Sequence, residues 1–227
     1  GDTNQPLLKE LMNKAPGTFH HSMHVANLAE SAASAIGAKA LLSRVGALYH
    51  DIGKILKPEY YVENQSSGVN EHDKLKPQMS AMVIKAHVSE GIKIAQEAGL
   101  PNKLIDFIST HHGTSVIRYF FEKAKDNDSM KEVTAEEKFR YDGPLPATKE
   151  TGILLLADGI EAASRAMKSP TYPRLENLVN RMVDERVKEG QLGHCPLTFR
   201  DLQLIKEAFM NVLMGIYHHR VEYPEDK

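Results

Sequence analysis

Apolar residues recur at steps of three and four along most of this chain, as in Val25, Leu28, Ala29 and Ala32, and again in Leu41, Val45 and Leu48. That spacing is the helical period, whereas a half-buried strand would alternate at every second residue. No segment needs a strand to explain it. An all-α fold is expected, and 227 residues, 41% of them hydrophobic, are enough for a single globular bundle over residues 1–227 with a sizeable core.

Punctuation divides the pattern. Thr18 reads as the N-cap of a helix to about Ile36, with Gly37 as a left-handed stop, and a second helix runs from about Ala38 to His50. Gly53 and Pro58 break it, and residues 59–77 read as a loop. Further helices are expected over about 78–98, ending at Gly99 before Pro101, and 102–112. Residues 113–147 form a long irregular excursion or lid around a short aromatic helix, 116–125. Helical signals return at about 148–167, 173–189 and 198–218, with Thr198 and Asp201 as a capping pair.

Composition removes several function classes. The net charge of -2 provides no broad basic field, so polymeric nucleic acid is disfavoured, while a small anionic ligand needs only a local positive site. Cys195 is the single cysteine, so a metal would have to be held by His and Asp, and a reducing, cytoplasmic setting is expected. The longest apolar run, residues 153–157, is far below the roughly 20 residues of a membrane span. The chain starts at Gly1 without a signal-peptide pattern and reads as a piece cut from a longer protein.

Within this helical text lie polar residues that belong on inward faces. His21 shares a stripe with Val25 and Leu28, and Asp158 follows the run Ile153-Leu154-Leu155-Leu156-Ala157. A buried carboxylate requires a partner, which can be a cation, a metal or several donors. His50-Asp51 and His111-His112 each end an apolar helix, and His87 lies within another. Each has a plain explanation alone: a satisfied core histidine for His21, or attraction to the helix dipole for a C-terminal His. As a set they have the chemistry of a two-metal site, since imidazole and carboxylate suit Fe, Mn and Zn.

The succession His21, His50-Asp51-Ile52-Gly53-Lys54, His87, His111-His112 and Asp158 resembles the HD-domain metallophosphohydrolase superfamily in its two-metal form. The segments Pro16 to Ser22, Glu63-Asn64-Gln65, His72 to Leu75, His111 to Thr114, Phe139-Arg140-Tyr141 and Leu156-Ala157-Asp158 extend the likeness over almost the whole chain. They bring it closest to the cytoplasmic domain of bacterial seven-transmembrane HD receptors, which are cyclic di-AMP phosphodiesterases. Gly159 stands where Ser is expected and Asp142 where Pro is usual. The Gly-Tyr-Pro signature of the cyclic di-GMP branch does not follow His111-His112.

The resemblance implies an HD-type helical bundle with two divalent metal ions, Fe or Mn. One would be held by His21, His50, Asp51 and Asp158 and the other by His87, His111 and His112, with Asp51 bridging. It implies hydrolysis of a cyclic dinucleotide, cyclic di-AMP favoured, to linear pApA by a metal-bridging hydroxide. The parent would be an inner-membrane protein of a bacterium with this domain in the cytoplasm. Lys54, three residues after Asp51, is then a catalytic and phosphate-binding candidate, against a solvated surface lysine. Arg165, seven residues after Asp158, is a further phosphate candidate, against a surface salt bridge. Competing readings are an HD-type di-iron oxygenase and a catalytically silent nucleotide-sensing module.

Several other residues carry less. His20 points away from the inward face, and His24 is either a partner behind the ligands or a core residue. His72-Asp73 repeats the HD letters in a polar loop and reads as a hydrogen-bonding pair, with substrate contact as the lesser alternative. Tyr119, Phe120 and Phe121 are either an adenine-stacking surface or core, and His218-His219 interacts with the dipole of the last helix.

Overall fold

A computed structural model of the chain describes residues 5–65, 70–127 and 135–217. Its helices are α1 (Pro6–Lys14), α2 (Pro16–Ala35), α3 (Ala40–Tyr49), α4 (Pro77–Glu97), α5 (Asn102–Thr110), α6 (Arg118–Asn127), α7 (Lys149–Ala166), α8 (Tyr172–Lys188) and α9 (Phe199–Tyr217). Short 3₁₀ turns occupy Ile52–Leu56 and parts of the expected loop at Pro58–Tyr60, Val62–Asn64 and Glu71–Lys74. Among the described residues no strand forms, and a lone bridge joins Val116 to Arg140. The all-α expectation holds.

Two local expectations need correction. Helix α1 precedes Thr18, where the sequence reading assigns nothing: Pro6 opens it, and Leu8 and Leu11 bury one side. Thr18 is not the N-cap of α2, because Pro16 takes the first helical position and Ala15 the cap. The Thr18 N–H instead donates to Asn64 Oδ1 (3.0 Å), a cap delivered from a distant turn. The other stops fall as expected, with Gly37 and Gly99 both at positive φ (69° and 70°). Thr198 and Asp201 cap reciprocally, each backbone N–H donating to the other's side chain at 3.0 Å. His218-His219 lies outside the described residues.

The core is organised around α7. Ile153, Leu154, Leu155, Leu156, Ala157 and Ile160 are all buried, so the middle of this helix is enclosed on every side, with α2, α3, α5 and α8 packed against it. Asp158, set among these residues, therefore lies inside the protein. The apolar stripe of α2 packs against α3, α7 and α9, which turns His21 inward.

Two glycines set the approach of the surrounding elements. A Cβ on Gly46 would stand 2.4 Å from the Phe107 ring, so α3 and α5 meet at contact distance and their C-terminal ends lie together. A Cβ on Gly53 would stand 1.9 Å from the His87 carbonyl oxygen and 2.6 Å from the Gly91 nitrogen. The turn after Asp51 therefore lies directly on the backbone of α4. The excursion is anchored by its own apolar cluster, in which Phe120, Phe121, Ala124 and Phe139 bury Ala81 of α4.

Replacing Gly53 with alanine forces backbone against backbone, with no side-chain rotation to relieve it. Gly53→Ala is expected to lower unfolding stability by about 2 kcal/mol or more, within the usual range for overpacking. Urea unfolding of the metal-free chain measures this directly, and an unchanged midpoint would show that α4 can retreat without cost.

Candidate metal centre

The seven histidines and aspartates expected as ligands converge where α2, α4 and α7 meet the C-terminal ends of α3 and α5. His50 and Asp51 follow α3 immediately, and His111 and His112 follow α5, so helix termination delivers both pairs to the same place. His21, His50, Asp51, His87, His111 and Asp158 are all buried, none more than 8% exposed, and His112 is half-buried. Residues scattered over 138 positions of sequence thus share one small volume.

The two oxygens of Asp51 face different neighbours. Oδ2 lies 3.3 Å from His50 Nε2 and 3.7 Å from His21 Nε2. Oδ1 lies 3.3 Å from His87 Nε2 and 3.5 Å from His111 Nε2. Asp158 Oδ1 is 2.9 Å from His21 Nε2 and 3.6 Å from His50 Nε2, and its Oδ2 is 3.6 Å from His112 Nδ1. The donors fall into overlapping groups with atoms within 4.8 Å of one another: His21 with His50 and Asp158, His87 with His111 and His112, and His50 with Asp51 and His111.

Outer hydrogen bonds decide which nitrogen of each ring faces inward. His50 donates Nδ1–H to the Ala47 carbonyl (2.6 Å), His111 to the Ile108 carbonyl (2.7 Å), and His87 to the Ile84 carbonyl. A carbonyl only accepts, so these rings carry the proton on Nδ1 and, when neutral, present an Nε2 lone pair to the centre. His87 and His111 then point lone pairs at one another across 3.1 Å, a repulsive contact unless a cation or proton lies between them. His50 Nε2 and both Asp51 oxygens are buried without a well-aligned hydrogen bond. Orphaned donors and acceptors of this kind are uncommon, and this set suits a divalent transition metal.

Charge is unevenly distributed. Burial opposes protonation of His50, but Asp51 and Asp158 raise it to about 10, and His21 is likewise raised by Asp158 and Glu161. Burial pushes His87 down to about 3 and His112 well below the ordinary imidazole range. Both aspartates stay well below the usual carboxylate range despite burial, Asp51 through His50 and Lys54 and Asp158 through His21 and His50. Lys54 Nζ bridges Asp51 Oδ2 (2.7 Å) and Glu63 Oε1 (2.8 Å) and lies over the Tyr61 ring. The two carboxylates keep Lys54 charged against burial.

The remaining candidates separate. A cavity of about 600 Å³ opens from the centre, and its lining includes Lys54, Arg165, Tyr60, His72, Tyr119 and Phe120. Arg165 is part-exposed and its Nε lies 3.7 Å from Glu161 Oε1, so both of its sequence readings describe it in part. His72 and Asp73 do not bond to one another: His72 Nε2 donates to the Tyr60 carbonyl (2.8 Å), and Asp73 approaches Lys123 (3.6 Å). The pair is separated because His72 turns inward against Phe120 while Asp73 faces water. Phe120 and Phe121 are core, and Tyr119 is exposed at the cavity. His20 is exposed, and His24 Nδ1 lies 3.5 Å from Glu161.

The sequence reading overlooks two contributors. Glu161 accepts a hydrogen bond from His21 Nδ1, and its place one turn after Asp158 is the signal that could have found it. Tyr141, which enters the sequence reading only within the Phe139-Arg140-Tyr141 segment, stacks on His112 with ring centroids 4.1 Å apart and planes at 20°. Nothing in local sequence announces that long-range contact.

Known proteins resemble this chain over nearly its whole length. Cyclic-di-AMP phosphodiesterase PgpH of Listeria monocytogenes is 45% identical over 225 residues, covering 99% of this chain and 31% of that protein. PgpH of Bacillus subtilis is also 45% identical, over 98% of this chain and 31% of its own length. The chain thus spans less than a third of the curated relatives it matches. A crystal structure of the L. monocytogenes PgpH HD domain in complex with cyclic-di-AMP aligns with a TM-score of 0.89 at 44% identity, covering 96% of this chain and 100% of that one. The HD domain family pattern matches residues 18–163, a span that includes every histidine and aspartate of the cluster, and the chain belongs to the HD domain family.

Proposed function

We propose that this chain is a dinuclear metal-dependent phosphodiesterase that opens cyclic di-AMP to linear pApA. The observation that carries the reading is Asp51: a buried carboxylate whose two oxygens, short of hydrogen bonds, each face a separate pair of imidazoles. His21, His50 and Asp158 would complete one ion's ligands, and His87, His111 and His112 the other's, with Asp51 common to both. Iron or manganese fits these donors. Such ions supply Lewis acidity and lower the pKa of bound water from about 15.7 toward 7. The choice of substrate rests on the relatives' activity and on a cavity whose volume falls within the usual range for small-molecule sites.

The chain's own side chains then have distinct work. Lys54, held charged between Asp51 and Glu63, is placed to stabilise negative charge accumulating on the phosphate oxygens as the 3′ oxygen leaves. Arg165 on the cavity wall is suited to the second phosphate. Tyr141 fixes the His112 ring by stacking, and the carbonyls of Ala47, Ile84 and Ile108 fix three others. Among the described residues no helix is long and apolar enough to cross a membrane. We take the chain as the cytoplasmic part of a larger inner-membrane bacterial protein, which the length of the relatives accommodates.

Manganese-loaded protein incubated with cyclic di-AMP should give pApA, and turnover without dioxygen uptake separates hydrolysis from oxygenase chemistry. Inertness toward every cyclic dinucleotide tested would sink the proposal. Asp51→Ala is expected to lower kcat by about 10²–10³-fold, the scale of losing a principal electrostatic group, and substantial residual turnover would contradict the shared-ligand role.

Lys54→Ala should lower kcat about 10²-fold with a smaller change in KM if the ammonium acts mainly on developing charge. Steady-state kinetics tests this, and a rise in KM alone would make Lys54 a ground-state binding residue instead.

A further inference from the structure

Three of the inward-facing histidines are supported by carbonyls of their own segments, and His21 is not. Ala47, Ile84 and Ile108 lie three residues before His50, His87 and His111 respectively. His21 reaches across the bundle from α2 to α7, where Glu161 Oε2 accepts its Nδ1–H. The carboxylate is oriented as well as present, because its other oxygen faces His24 Nδ1 at 3.5 Å and Arg165 Nε at 3.7 Å. Glu161 is 3% exposed.

A carboxylate behind a ligating imidazole fixes the ring and makes the opposite nitrogen a stronger donor than a carbonyl does. The two halves of the centre therefore differ. The His21 half contains Asp158 and one Asp51 oxygen, with Glu161 behind it, while Lys54 on that oxygen is matched by Glu63. The His87 half consists of His87 and His111, which face the other Asp51 oxygen, and His112, whose Nδ1 lies 3.6 Å from the second oxygen of Asp158.

The geometry points to Glu161 as a positioning residue that makes the His21 half the tighter of two unequal cation sites, the one filled first. This rests on the dinuclear reading above. On this assignment His21, His50 and Asp158 would hold the first ion taken up, and the imidazole-rich side would hold the second. An enzyme of this design passes through a singly loaded form as metal becomes scarce.

Competitive titration of the metal-free full chain with Mn²⁺ and a chromophoric chelator tests this without reference to turnover. Wild-type protein should show two affinity classes, with His21→Ala removing the tight one and His87→Ala the weak one. Glu161→Gln, nearly isosteric, should weaken the tight class by about 10–100-fold and move the weak class less than about threefold. Glu161→Asp should recover part of the loss if the carboxylate itself matters. Equal weakening of both classes, weakening of only the second, or no change in Glu161→Gln would overturn the assignment. Wild-type protein that takes up fewer than two ions would overturn the dinuclear reading itself, so the two failures are distinguishable.

Discussion

The structure depends on the burial of Asp51 among imidazoles. An ionised carboxylate removed from water is costly unless opposite charge or strong donors surround it, and here neither oxygen has a well-aligned hydrogen bond. Lys54 compensates from one side, and His50 and His111 from others. Much of the surrounding architecture can be understood as bringing those partners within reach. Gly46 lets the ends of α3 and α5 converge, and Gly53 lets the turn after Asp51 lie on α4 next to His87.

Helix ends and helix interiors make different contributions. At the C-terminal ends of α3 and α5, carbonyls lacking helical partners are available to orient His50 and His111, so termination of the helix and orientation of the ligand are the same event. Asp158 instead lies within the apolar stretch 153–160 of α7, where the low-polarity surroundings strengthen the electrostatic contacts it makes. His21 and His87 are both internal to their helices, and they are held differently: His87 by the Ile84 carbonyl of its own helix, His21 by a side chain on another.

The inward placement of His21, His50-Asp51, His111-His112 and Asp158 is legible in the sequence from the apolar pattern around them, whereas His87 and the division of ligands follow from the family resemblance. Asp158 closes a five-residue apolar run and His21 occupies a core stripe, so the pattern alone demands a partner for both. Glu161 escapes notice because a glutamate in a helix followed four residues later by arginine reads as a solvated ion pair. Thr18 misleads for a related reason: it is a good capping residue, yet Pro16 two positions earlier already starts the helix and Asn64 caps it from outside. His72-Asp73 resembles the metal-site pair in letters, but it lacks a preceding buried helix, and its two side chains go to different partners. Contacts that cross the chain, such as Tyr141 on His112, leave no local trace in composition or period.

On the proposed function, Asp51 would be shared by two ions. Anomalous diffraction from crystals of the manganese-loaded protein would show this as two metal peaks, one contacted by Asp51 Oδ2 together with His21, His50 and Asp158, the other by Asp51 Oδ1 together with His87, His111 and His112. A single peak at full loading, or two peaks of which only one contacts Asp51, would contradict it.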